Sequence, residues 1–203
     1  MDVVMTIQKI REDILNLRGA EVVIFGQPTT LPSEVDEQYI DILDVLDVLE
    51  PYEVTAFVYE EYNEELDDYE TKEFESVDEY LDYLHDIGEI KEIAADNSYN
   101  WSSPVSNDFN YIIYEMQSTG EVLVEFKVHR YGDVRCNYTE SALLKFDNDY
   151  QFAETLMEAN KIITVNGYEI HVDIFSDGME VYTPDGEYVD TIYDLDELEE
   201  WTA

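Results

Sequence analysis

The sequence predicts an α+β fold, antiparallel sheets with helices packed on one face, arranged as two lobes. Two observations carry that prediction. Helical periodicity with capping residues recurs in separate segments, and short β-rich runs are joined by residues that demand hairpin turns. Composition adds that the chain is able to fold: 45% of its 203 residues are hydrophobic and 13% aromatic, although its formal charge is −40. Acidic disordered chains are poor in aromatics, whereas this one has 17 Tyr and 8 Phe along its length. A core is available, and it forms against strong self-repulsion.

The first helix is read from Val3, Ile7, Ile10, Ile14 and Leu17, spaced three and four apart, with Gly19 at the C-terminal cap. Residues 21–25 form a short strand closed by the turn residues Gly26 and Pro28. A second helix is expected from Ser33, with Asp36 three residues on, burying Val35, Tyr39, Ile42, Leu43, Leu46 and Leu49 and ending at Pro51. Residues 54–59 read as a strand that runs into the acidic stretch 60–70, a hairpin tip. Ser76 and Glu79 make a capping box for a helix burying Val77, Tyr80, Leu81, Leu84 and Ile87, and Gly88 ends it. Residues 97–109 are polar and turn-rich, and predict a linker between an acidic lobe, 1–96, and a strand-rich lobe, 110–203.

In the second lobe, strands 111–116 and 122–129 flank Ser118, Thr119 and Gly120, and residues 134–146 add a strand. Residues 149–160 predict a helix with Phe152, Ala153, Leu156 and Met157 inward. Strands 162–165 and 168–175 meet across Asn166-Gly167, the strongest short hairpin signal in the chain. Strands 179–182 and 188–192 meet across Pro184, Asp185 and Gly186. A last short helix opens with Asp194 as cap and Glu197 three residues later.

Charge is the second theme. There are 50 Asp and Glu against 10 Lys and Arg, and the pI is near 4.1. Direct binding to nucleic acid or an anionic membrane is excluded as an expectation, because phosphate binding needs the bases that are scarce here. Between Glu34 and Glu89 the sole base is Lys72, and no Lys or Arg follows Val172. On the expected second helix Glu37, Asp41, Asp44 and Asp47 share the face opposite the apolar stripe. Glu64, Glu65, Asp67 and Asp68 mark the hairpin tip. Asp78, Asp82 and Asp86 line one face of the third helix, and Asp194, Asp196 and Glu197 open the last one. Like charges four apart cost a helix a few tenths of a kcal/mol each. Stability alone does not account for such rows.

These rows and this density resemble the DNA-mimic proteins of phages and mobile elements. Forty charges equal those of roughly 20 base pairs, within a compact chain about 45 Å across. The resemblance is one of class, without a shared fold or motif, so it transfers no site residue by residue. It implies a protein that inhibits a nucleic-acid-binding defence enzyme, a CRISPR effector or restriction nuclease, by occupying its basic groove. The fourteen acids named above are then the partner-binding residues. Tyr59, Tyr62, Tyr69 and Trp101, among or near them, supply apolar anchors. Two other readings fit the same composition: an acidic chaperone-like or other interaction module, and a halophile-type acidic surface.

Enzyme chemistry is not expected. His85, His129 and His171 are far apart in sequence, Cys136 is the single cysteine, and no phosphate loop or nucleophile motif occurs. No cofactor is implied: Asp147, Asn148 and Asp149 begin like a calcium loop, but Tyr150, Gln151 and Phe152 follow where acid and Gly are needed. The start of the chain lacks a signal-peptide pattern and no apolar run approaches the roughly 20 residues of a membrane span, so the expectation is cytoplasmic. A homodimer is expected through the less acidic middle strands near Lys127, Arg130 and Arg135.

Overall fold

The computed structural model describes residues 6–24, 26–35, 39–65, 67–97, 106–131, 137–138, 141–176 and 178–202. Expectations for Glu37, Trp101, Arg135 and Cys136 lie outside these residues. The fold is α+β, and every strand pair among the described residues is antiparallel.

Helix α1 (Thr6–Leu17) buries Ile7, Ile10 and Ile14. Its first amides are capped from far along the chain: Glu53 Oε1 accepts from Thr6 N at 2.6 Å and from Ile7 N at 2.9 Å. Strands β1 (Glu21–Ile24) and β2 (Gln27–Thr30) form a separate hairpin. Pro28, expected in a closing turn, lies in β2. Pro28 is tolerated there because a two-stranded ribbon has free edges.

Helix α2 (Ile42–Leu49) begins nine residues later than Ser33. The apolar period extends upstream to Val35 and Tyr39, but neither of those residues is helical. Asp41 sets the start: its backbone is extended and its side chain accepts from Leu43 N at 3.0 Å. Ile42, Val45, Leu46 and Leu49 are buried, and a 3-10 turn at Glu50–Tyr52 follows, with Pro51 inside it.

Strand β3 (Val58–Asn63) also starts late, four residues after Val54. It pairs with β4 (Asp68–Glu73), so the acidic stretch forms both strands and not just the tip. Helix α3 (Val77–Asp86) is capped as expected, Ser76 Oγ accepting from Glu79 N at 3.2 Å.

The central sheet comprises β5 (Ile90–Asn97), β6 (Ser106–Met116), β7 (Val122–Tyr131), β8 (Asn137–Tyr138) and β9 (Ala142–Phe146), with β8 and β9 both on β7. Helix α4 (Asp149–Met157) follows, capped by Asn148. It buries Thr155, whose hydroxyl donates to Gln151 O at 2.8 Å, while Met157, expected inward, is exposed. The last sheet is the meander β10 (Lys161–Val165), β11 (Tyr168–Val172), β12 (Met179–Tyr182) and β13 (Tyr188–Ile192). Asn166 and Gly167 both have positive φ, as a two-residue type I′ turn requires. The C-terminal helix, Leu195–Thr202, is of the 3-10 type.

Two expectations about packing are corrected. Strand β7 is buried on both faces, from Val122 to Phe126. Its even-numbered residues, with Ala142, Leu144 and Phe146 of β9, join α1, α2, α4 and the last sheet in one core. Leu123 and Leu143 point the other way, into a second core with Phe57, Tyr80, Leu81, Leu84 and Ile90. Helices therefore cover both faces of the central sheet, because α3 packs opposite the others. Nor does 97–109 separate two lobes: β5 pairs with β6 from Ile90↔Met116 to Asn97↔Asn110, and the first core draws residues from both sides of that segment.

Candidate functional site

The acids predicted as partner-binding fall into three places with different electrostatics. Those of α2 are neutralised inside the molecule. Arg18 Nη2 lies 2.5 Å from Asp41 Oδ1, Lys161 Nζ lies 3.0 Å from Asp44 Oδ2, and Arg11 pairs with both Asp47 and Glu50. Arg11 and Arg18 come from α1 and the residue after it, and Lys161 from β10, so these acids flank the packed stripe and clamp α1 and β10 to α2. They do not form an open row.

At the C-terminus Asp194 and Glu197 serve the backbone. Glu197 Oε1 accepts from Tyr193 N at 2.9 Å and Asp194 N at 3.0 Å, and Asp194 Oδ1 accepts from Asp196 N at 3.0 Å. This is a capping box, and its helix packs through Leu195 and Leu198 into the first core. It lies across the central sheet from α3.

The third place is the hairpin β3–β4 with α3. Of residues 58–89, fourteen are Asp or Glu and one, Lys72, is Lys or Arg. Strand alternation turns Tyr59 and Lys72 to one face of the hairpin, where they meet α3. Lys72 Nζ donates to Glu61 Oε2 at 2.5 Å and to Tyr83 OH at 2.8 Å, and sits 4.7 Å from the Tyr83 ring centroid. The hydrogen bond from Lys72 holds Glu61 below the usual carboxylate range, and the bond to Glu61 raises Lys72 in turn. Tyr59 and Phe74 pack on Tyr83 at 5.6 and 5.0 Å between centroids, and Phe57 and Phe74 on Tyr80 at 5.9 and 5.5 Å. The single base of the unit is thus fastened between hairpin and helix.

The remaining exposed charge of the unit is acidic. Glu64, Glu65, Asp67 and Asp68 stand exposed at the tip, where Asp67 adopts positive φ and accepts from Tyr62 OH. Asp78, Asp82 and Asp86 are exposed along α3, about 6 Å apart by the helical rise, and make no ion pair or hydrogen bond among the described residues. The structure therefore brings the tip acids and the α3 row into one unit and leaves the α2 and C-terminal acids out of it. Sequence reasoning missed Glu60, Glu70 and Glu73, which become strand residues of the same unit; the alternation through 58–73 is the signal that carries them.

Other chemistry is sparse. An open cleft of about 450 Å³ is lined by Tyr52, Glu53, Glu121, Lys145, Asp147 and Gln151, among others. Its groups satisfy one another: Glu53 caps α1, and Lys145 pairs with Glu121 at 2.7 Å. Burial raises the Glu53 carboxyl, while Lys145 lowers that of Glu121. On the α3 side of the central sheet, Glu125 is buried and lies 2.5 Å from Lys127 Nζ, so the base expected at a dimer contact is already paired. Tyr114 beside it is pushed up to about 12, first by burial and then by the charge of Glu125. Among the described residues no group of three or more His, Cys, Asp or Glu is placed to hold a metal ion, and no helix is long and apolar enough to cross a membrane. Comparisons with protein families, curated proteins and solved structures return no match.

Proposed function

We propose that this protein is a DNA mimic that binds the basic nucleic-acid groove of a partner, in the manner of inhibitors of CRISPR effectors or restriction nucleases. The observation that supports the reading is the segregation of charge. Where an acid serves the fold, as in α2, a base or a backbone amide meets it. On the hairpin tip and α3 Glu64, Glu65, Asp67, Asp68, Asp78, Asp82 and Asp86 all face water, and the one Lys of the unit is tied to Glu61 and Tyr83. Repulsion among these acids disfavours the fold, and a cationic partner surface relieves it.

The reading makes binding competitive with DNA and steeply salt-dependent, because exposed charges are screened beyond about 8–10 Å at physiological ionic strength. The test captures host proteins on the immobilised chain at low salt and elutes with duplex DNA. Nucleic-acid enzymes released by DNA support it. Partners that resist both DNA and salt sink it, as does capture of metabolic enzymes alone.

A further inference from the structure

The hairpin has a second face, turned away from α3. Its cross-strand rows are Tyr62–Tyr69, Glu60–Thr71 and Val58–Glu73. Most solvent-facing strand positions in this chain are polar, yet here Val58 is 40%, Tyr62 48% and Tyr69 64% exposed. The two rings meet edge to face at 5.4 Å between centroids and 65° between planes, and the Tyr62 hydroxyl is tied to Asp67. The backbone ladder fixes the pair in place, so an aromatic surface stands ready without reorganisation. The hairpin is a two-stranded sheet of its own, and the exposure of Val58, Tyr62 and Tyr69 leaves this face open to solvent.

We propose that this face is a docking surface for arginine side chains of a basic partner protein, with a guanidinium lying on the Tyr62–Tyr69 pair and Glu60 taking its N–H groups. The proposal rests on the function proposed above and names the chemistry of contact. Charge complementarity points to a cationic occupant, since Lys72, the one base of the unit, lies on the opposite face and is bonded to Glu61 and Tyr83. The rings select the cation. A guanidinium is planar, weakly hydrated, stacks on aromatic faces and bonds a carboxylate with two N–H groups, whereas an ammonium keeps its water. Glu60 is one row from the pair, about 6.8 Å along the strand, within reach of its side chain. Carboxylates then stand for phosphates and the rings for bases, the two features that nucleic-acid grooves engage with Arg.

The test uses fluorescence anisotropy of the full chain with labelled oligoarginine and oligolysine peptides of equal length, at moderate salt. Oligoarginine should bind tighter by roughly tenfold, about two- to fivefold for each ring. Tyr62→Leu with Tyr69→Leu should remove that preference and leave oligolysine affinity unchanged, and Tyr62→Phe with Tyr69→Phe should retain it. If the leucine pair disturbs the hairpin by circular dichroism, Tyr69→Thr, at the more exposed ring, should still lower the preference by about two- to fivefold. Equal affinity for both peptides, or a preference that survives loss of the rings, overturns the platform. That failure is separate from failure of the mimic reading: salt-sensitive binding displaced by DNA would persist without the platform, and an arginine preference without DNA competition would leave the platform standing and the mimicry refuted.

Discussion

Asp41 provides the sharpest test of how charge is divided between folding and display. On sequence alone it belongs to an outward acid row, and its replacement should cost the fold nothing. In the structure its side chain caps α2 and is bound by Arg18 through two contacts of 2.5 and 2.6 Å, with only 17% of it exposed. Loss of an N-cap costs about 1 kcal/mol. A hydrogen bond to a charged group is worth about 1.5–3 kcal/mol, and Arg18, itself 20% exposed, is left with no carboxylate there. The low end applies because water still reaches the pair. Asp41→Ala should therefore destabilise by about 2–3 kcal/mol, lowering Tm by roughly 5–10 °C for a chain of this size. Asp47→Ala is the control. Its side chain is 62% exposed and Arg11 keeps Glu50, so its loss should cost less than about 1 kcal/mol. Urea unfolding of both variants, and of Asp41→Ala combined with Arg18→Ala, measures the difference and the coupling. If the two single variants fall within about 0.5 kcal/mol of each other, the assignment of Asp41 as the part-buried clamp and cap of α2, against an exposed and redundant pair at Asp47, is wrong.

Reversal of charge on α3 should act in the opposite sense. Asp82→Lys removes two like-charge neighbours and sets Asp78 four residues ahead of a base, so thermal unfolding should shift up by the equivalent of roughly 0.5 kcal/mol, while capture of a DNA-displaceable partner falls; a lower Tm would contradict the exposed placement. At the α1 cap, Glu53→Gln keeps the acceptor for Thr6 and Ile7 and should leave Tm near the parent, whereas Glu53→Ala orphans two amides and should cost about 1–3 kcal/mol by denaturant titration. Tyr114 is raised in the folded state to about 12, so its contribution is complete below the ordinary tyrosine range and is lost as pH climbs from about 10 towards 12. Stability measured across that window should fall less steeply in Tyr114→Phe; an unchanged slope would refute the burial argument. Gly167→Ala places a side chain at φ +88 in the β10–β11 turn and should destabilise by about 1 kcal/mol or more, read by chemical denaturation.

Local signals in the sequence determined the fold class and most of the elements. Gly120 and the Asn166-Gly167 pair need positive φ, Ser76 and Asn148 offer caps, and strand and helix periods differ; these are short-range matters that a one-dimensional reading captures. The acidity of 58–89, and so the location of the candidate surface, was equally legible. Tertiary structure decided which acids are free. Asp41 meets Arg18 across 23 residues, Asp47 meets Arg11 across 36, and Glu53 reaches α1 across 46, and no spacing rule links such positions. The same holds for α2, whose apolar period continues upstream of Ile42 until a remote arginine and a local cap fix where the helix starts, and for β7, whose second buried face only the packing of α3 reveals. Hydrogen bonds within a turn depend on neighbours in sequence, whereas burial and ion pairing depend on which surfaces the folded chain brings together, and that is settled only when the two cores close on the central sheet.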